Sequence, residues 1–120
     1  MSRDYRLFLD GAKTACEKIL RYTHAMTFDQ FTVDEKTFDA VVRNLEIIGE
    51  ASKNIPEEVR QKHPEIDWRK MAGLRDIVAH EYFGIDEEVL WDIVESRIAD
   101  LLERVREMPD AEDEDSGRAR

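Results

Sequence analysis

Cysteine is almost missing from this sequence: Cys16 is the one copy in 120 residues. A disulfide scaffold is thereby excluded, and no Cys/His cluster has the spacing of a structural zinc site. Proline occurs three times and glycine five times, so few positions break or turn the chain. Hydrophobic residues make up 42% of the total, yet no apolar run nears the roughly 18 residues needed to cross a bilayer. The opening Met1-Ser-Arg-Asp-Tyr-Arg6 lacks the apolar core of a signal peptide. These shortages predict a soluble, cytoplasmic protein with no membrane partner. Basic residues are outnumbered by acidic ones, 18 to 28, for a net charge of -10. Such an excess argues against nonspecific coating of nucleic acid, which needs clustered Lys and Arg to neutralise phosphates.

What the chain does hold is long unbroken stretches of helix-forming residues, rich in Glu, Arg, Leu and Ala. It is sized for one domain with a modest core, since domains commonly run to about 100–200 residues. Four segments carry apolar residues at the three-and-four spacing of a helix face. The first spans about Arg3 to Met26, with Tyr5, Phe8, Leu9, Ala12, Ala15, Cys16, Ile19, Leu20 and Thr23 on its stripe. Asp10-Gly11 is a hairpin pair in a strand context, but no alternating strands flank it, so Gly11 reads as a helix glycine. Phe28-Asp-Gln-Phe31 reads as a connecting turn whose aromatics cap the core.

The second helix starts at Thr32-Val-Asp-Glu35, a capping-box pattern, and ends near Lys53. Its apolar face is Phe38, Val41, Val42, Leu45, Ile48 and Gly49. A short extra turn follows, with Pro56 near its first position and His63-Pro64 as its stop. The third helix runs from Trp68 to about Tyr82, capped by Asp67 and ended by Gly84, with Met71, Leu74, Val78 and Tyr82 as its stripe. The fourth runs from beyond Asp86 to about Met108, and Pro109 ends it.

Four amphipathic helices with short connections predict an all-α fold, an antiparallel up-down four-helix bundle with an extra short helix. The domain is set at residues 1–108. Residues 109–120 hold five acidic and two basic side chains and read as a disordered acidic tail. That tail accounts for -3 of the charge and leaves -7 on the domain. Apolar residues of the fourth helix spread over more than half its circumference, wider than the stripe of a simple surface helix. Leu7, Ile47 and Ile77 also fall away from the main stripes of their helices. Scattered surface apolar residues are one explanation. A homodimer interface, in the commonest closed assembly, is the other and the preferred one.

Reactive side chains concentrate in Gly73-Leu-Arg-Asp-Ile-Val-Ala-His-Glu-Tyr-Phe-Gly84, which holds one of three histidines. An Arg and a His close together, with no metal-ligand set, suit phosphodiester chemistry. Guanidinium stabilises a phosphoryl oxyanion, and imidazole moves protons near neutral pH. Asp76 and His80, four apart, share a helix face, so Asp76 is placed to orient the ring. Arg75 and His80 are five apart, about 140° round a regular helix and roughly 7.5 Å along it, and cannot both point the same way. Either the helix frays near His80 or a second chain supplies part of the site. The plainer alternative has Arg75 bridging to a neighbouring helix while His80 and Tyr82 close the helix end, where the macrodipole favours cations.

Asn44-Leu-Glu-Ile-Ile-Gly-Glu-Ala51, Ile66-Asp-Trp68, Gly73 through Phe83, Ile85-Asp and Val89-Leu-Trp91 together resemble the HepT-like family of the HEPN superfamily. The resemblance covers about residues 4–108. Its R-x(4)-H-x-Y signature falls on Arg75, His80 and Tyr82, and the upstream block at a family-like distance makes the match fairly specific. The resemblance implies a small all-helical ribonuclease toxin, encoded with a minimal nucleotidyltransferase antitoxin in a type VII-like toxin–antitoxin system. Arg75 and His80 would be the catalytic pair of a metal-independent endoribonuclease, in paired sites at a homodimer interface, with RNA as substrate and no cofactor. Asp76 takes the polar position after the Arg, where the family often has Asn, and adds negative charge beside an anionic substrate. Tyr82 matches the tyrosine that the partner enzyme adenylylates from ATP. On this reading the acidity excludes only broad RNA coating and leaves room for a small local site.

The competing class is a non-catalytic helical dimer, a nucleotide-binding or interaction subunit of a nucleotidyltransferase. Glu46, Glu50, Asp92 and Glu95 lack the Glu-x-x-His companion of a bundle metal site, so solvated faces or interhelix ion pairs are expected. Cys16 reads as inert core. His24 and His63 read as surface residues, Trp68 and Trp91 as helix anchors. Arg43 and Asn44 stand where they either reach the site from the second helix or serve the structure.

Overall fold

The computed structural model describes residues 3–80 and 86–108, with residues 3, 4, 79 and 80 described as backbone only. Among these residues lie seven helices and no strand: α1 (Arg3–Tyr22), α2 (Phe28–Val33), α3 (Glu35–Lys53), α4 (Glu57–Lys62), α5 (Trp68–His80), α6 (Glu87–Ser96) and α7 (Ile98–Glu107). The all-α expectation holds, and the extra short helix is α4. The acidic stretch 109–120 lies outside the described residues.

Helix α1 packs on α3 and α7, α3 on α5, and α6 on α7, while α2 touches both α3 and α6. The apolar stripes meet in one interior. Ala12, Cys16 and Ile19 join Leu45 and Ile48 of α3, Leu74 and Val78 of α5, Leu90 and Ile93 of α6, and Ile98 and Leu102 of α7. Burying one large aliphatic side chain is worth about 1.5–3 kcal/mol, against about 0–1 for an exposed ion pair, so this interior holds the fold. A smaller cluster of Tyr5 and Ile55, with Val59 and Trp68 against it, ties the start of α1 to α4 and α5.

Helix α1 ends at Tyr22, short of the expected Met26. The Thr23 hydroxyl donates to the Ile19 carbonyl at 2.8 Å, and Ala25 turns the chain with φ at 60°. That left-handed conformation costs a non-glycine residue roughly 1–2 kcal/mol, and no glycine announces it. Phe28–Phe31 is not a turn but the body of α2. Thr27 and Gln30 form its capping box, with Thr27 Oγ1 accepting from the Gln30 N–H at 3.1 Å and Gln30 Oε1 from the Thr27 N–H at 2.9 Å.

The box expected at Thr32 and Glu35 does not form, because the Thr32 hydroxyl donates back to the Asp29 carbonyl at 3.0 Å. Asp34 caps α3 instead, accepting from the Thr37 N–H at 3.0 Å, and that backbone bond holds its carboxyl below the usual range. The aromatics still close the core: Phe31 is fully buried, with the rings of Trp91 and Phe38 at 5.0 and 5.5 Å. Pro56, expected near the first position of the short helix, is the N-cap of α4.

The expected fourth helix is bent into α6 and α7 at Arg97, where φ widens to -118°. The Arg97 N–H closes α6 by donating to the Ile93 carbonyl and the Arg97 carbonyl opens α7 by accepting from the Leu101 N–H, both at 3.0 Å. The bend lets α6 face α2 while α7 lies along α1. Two different partners explain why the apolar residues of this segment spread so far round the helical wheel. No helix among the described residues is long and apolar enough to cross a membrane.

Candidate active site

The candidate site is built where α5 crosses α3. The Asp67 carboxylate starts α5 by accepting from the Lys70 N–H at 3.0 Å. Trp68 anchors it, its indole Nε1 donating to the His63 carbonyl at 3.0 Å. Met71, Leu74 and Val78 then bury one face against the core. Arg75 follows at the edge of that face, and opposite it stands Gly49. A Cβ on Gly49 would lie 2.6 Å from both the Cβ and the backbone N of Arg75, so the two helices touch through their backbones. Glycine inside a helix costs roughly 0.5–1 kcal/mol relative to Ala, and this crossing is what requires it.

Glu50, next to Gly49, reaches back to Arg75, with Oε1 3.3 Å from Nη1. The interhelix ion pair expected as a plain role for Arg75 therefore forms. The two side chains are 46% and 51% exposed, so the pair lies in contact with solvent. Both residues border a groove of about 310 Å³ between α1 and α3, lined also by Leu7, Phe8, Gly11, Ile47 and Ala51, with Arg43 and Glu46. Leu7 is 70% exposed there. Ile47 and Ile77, the other two apolar residues off the stripes, are partly buried against the core. Arg43 donates to Glu46 at 3.0 Å. Asn44 does not reach the site: it is buried, and its amide donates to the Ala40 carbonyl at 2.8 Å.

Asp76 opens to a different side of α5. With Arg60, Trp68, Arg69 and Gly73 it lines a shallow, open depression between α4 and α5. The structure thus separates Arg75 from Asp76, its neighbour in sequence. Helix α5 stays helical through His80, the last residue described before position 86. No fray intervenes, so Arg75 and His80 are rooted about 140° apart and roughly 7.5 Å along one helix. The His80 side chain and all of Tyr82 lie outside the described residues.

The remaining candidates sort simply. Cys16 is fully buried, and desolvation first, then the nearby Glu17 charge, pushes its thiol up to about 12. It is an inert core residue, as expected. His24 is exposed, but His63 is not: its side chain is 13% exposed, with Nδ1 3.2 Å from Glu65 Oε2. Among the described residues no three His, Cys, Asp or Glu side chains group as a metal site. Glu50 is one of the four acids for which solvated faces or interhelix ion pairs are expected, and it makes the ion pair; its partner is not named by the sequence, though the mid-helix Gly49 beside it marks the close crossing.

A family model described as ribonuclease HepT-like matches residues 12–108. A Thermococcus cleftensis protein named probable ribonuclease HepT is 48% identical over 101 residues, 84% of this chain and 92% of its own. A Methanocaldococcus jannaschii protein with a provisional RNase name is 44% identical over 114 residues, 94% of each chain. Another provisionally named RNase, from Caldanaerobacter subterraneus, is 38% identical over 103 residues, 86% of this chain and 92% of its own. No solved structure matches the chain.

Proposed function

Because this chain belongs to the HepT-like ribonuclease family, we propose that it is a metal-independent endoribonuclease, the toxin of a type VII-like toxin–antitoxin system acting in the cytoplasm. The observation that carries this reading is the unbroken helix from Arg75 to His80. Cutting a phosphodiester needs a cation and a proton carrier at one phosphate, and two residues on nearly opposite sides of one helix do not meet there. A second copy of the chain completes the site. The working unit is a homodimer of antiparallel up-down four-helix bundles formed by α1, α3, α5 and the bent α6–α7 pair. Residues 1–108 form the domain and 109–120 a tail. The exposed Leu7 beside the Arg75 groove supports an interface on that side.

In this site His80 takes the proton of an RNA 2′-hydroxyl as that oxygen attacks the adjacent phosphorus. The new 2′-oxygen–phosphorus bond forms, the bond to the 5′-oxygen breaks, and the leaving oxygen takes up a proton. Arg75 stabilises the charge that builds on the phosphoryl oxygens. The products are a 2′,3′-cyclic phosphate and a 5′-hydroxyl. Asp76, one turn before His80, supports the ring. Tyr82 is the residue that a minimal nucleotidyltransferase antitoxin adenylylates from ATP, and the added phosphate and adenosine keep RNA out by repulsion and bulk.

The test compares wild type, Arg75→Ala and His80→Ala for growth arrest and for RNA cleavage in the presence of a chelator. Wild type alone should arrest growth and cut. Three folded dimers that behave alike would leave the non-catalytic helical dimer as the answer. Cleavage of RNA blocked at the 2′-oxygen would sink the mechanism. Intact mass after incubation with the antitoxin and ATP should rise for wild type and not for Tyr82→Phe.

A further inference from the structure

We propose that Glu50 is a gate on Arg75: in the RNA-free protein it occupies the guanidinium, and a substrate phosphate must displace it. The inference rests on the ribonuclease reading above and concerns its cation. Gly49 explains why the pair is available for this purpose. At the α3–α5 crossing the backbones already touch, with a Gly49 Cβ position 2.6 Å from Arg75 Cβ and N, and Leu45, Ile48 and Leu74 are buried close by in sequence. The helices are held without the ion pair. What the pair does is neutralise the one positive charge that the chemistry requires.

The surrounding charges point the same way. The groove is lined by two arginines and two glutamates, and they cancel in pairs: Arg43 with Glu46 at 3.0 Å and Arg75 with Glu50 at 3.3 Å. An idle groove therefore offers a passing polyanion no net attraction. Both members of the Arg75–Glu50 pair are about half exposed, and a pair in that much water is weak. A phosphate presented squarely to Arg75 offers two oxygens to its forked donors, which a single carboxylate contact at 3.3 Å does not match. Exchange thus favours RNA that is already aligned and disfavours loose contact.

The experiment titrates a non-cleavable 2′-O-methyl RNA into the full-length chain as wild type, Glu50→Gln, Arg75→Ala and the double variant, with urea unfolding run alongside. Glu50→Gln keeps the side-chain size and removes its charge. It should bind the RNA about two- to fivefold tighter than wild type, the range expected for releasing an exposed pair, with little change in unfolding midpoint. With Arg75 already Ala, the same substitution should leave binding unchanged, because there is no guanidinium to release. Equal or weaker binding by Glu50→Gln overturns the gate, and so does a gain that persists without Arg75, which would mark a bulk charge effect. If wild type binds and cuts RNA yet shows no coupling between the two residues, the gate alone fails. If neither wild type nor Glu50→Gln binds this probe or cuts unmodified RNA, the ribonuclease reading fails and the gate with it.

Discussion

Two interhelical Arg–Glu bridges of the same chemistry rest on different foundations. Arg75–Glu50 joins α5 to α3 at 3.3 Å, and Arg106–Glu17 joins α7 to α1 at 2.8 Å, each with both members roughly half exposed. Beside the second lie Cys16, Leu102 and Val105, all buried, so it covers a seam held by side-chain packing. The first sits on a backbone contact at Gly49 and borders an open groove. Removing the Arg106 bridge uncovers part of a seam, whereas removing the Arg75 bridge frees a guanidinium and leaves the helices in place. Ion-pair chemistry alone does not separate a strut from a site; what lies beneath the pair does.

The largest test of that contrast is catalytic. Arg75→Ala should lower the initial rate of RNA cleavage by about 10²–10³-fold, as expected when the donor stabilising a developing oxyanion is lost. Arg106→Ala should cut at the wild-type rate while still unfolding cooperatively in urea. Equal losses from the two substitutions would erase the distinction between the bridges.

A smaller effect probes the foundations themselves. Gly49→Ala places a methyl group 2.6 Å from Arg75 atoms, two of the three nearest being backbone, and should destabilise the fold by about 1–3 kcal/mol in urea melts. Gly11, also inside a helix, meets nothing within 4 Å of its would-be Cβ, so Gly11→Ala should stabilise by roughly 0.5–1 kcal/mol. Opposite signs from one chemical change would show that the α3–α5 crossing, and not helix propensity, dictates Gly49.

How much of this is legible in the sequence follows from the kind of signal each feature leaves. Period-3.6 stripes with few breakers announce an all-α chain, and they place Cys16, Ile19, Leu45, Ile48 and Leu74 in the interior where they are found. Caps are less secure. Thr27-x-x-Gln30 and Thr32-x-x-Glu35 carry the same pattern, and only the first closes. The bend at Arg97 has neither Gly nor Pro to mark it, because it answers to which helices α6 and α7 pack against. At the candidate site, spacing alone sets Arg75 and His80 at odds on one helix, and the helix indeed runs through His80. Asp76 looks like a neighbour of Arg75 in the chain but opens to the shallow depression beside α4. Glu50 is invisible as the partner of Arg75, since helical periodicity says which face a residue occupies and not which distant residue it meets.

The smallest effect lies at the other bridge, where Cys16 provides a built-in probe. Glu17→Gln breaks the 2.8 Å contact to Arg106 on a surface where both side chains are about half exposed, so stability should fall by no more than about 1 kcal/mol, and less at high salt. The neighbouring Cys16 thiol is fully buried and pushed up to about 12, so a thiol reagent at neutral pH reaches it only when the α1–α7 seam opens. Arg106→Ala should speed its labelling by up to about fivefold, the population change that so weak a bridge allows. Arg75→Ala, at the backbone-supported crossing, should leave the labelling rate where it is. Faster labelling from both would mean that the Arg75 bridge also holds the core closed, and that the two regions differ less than their foundations imply.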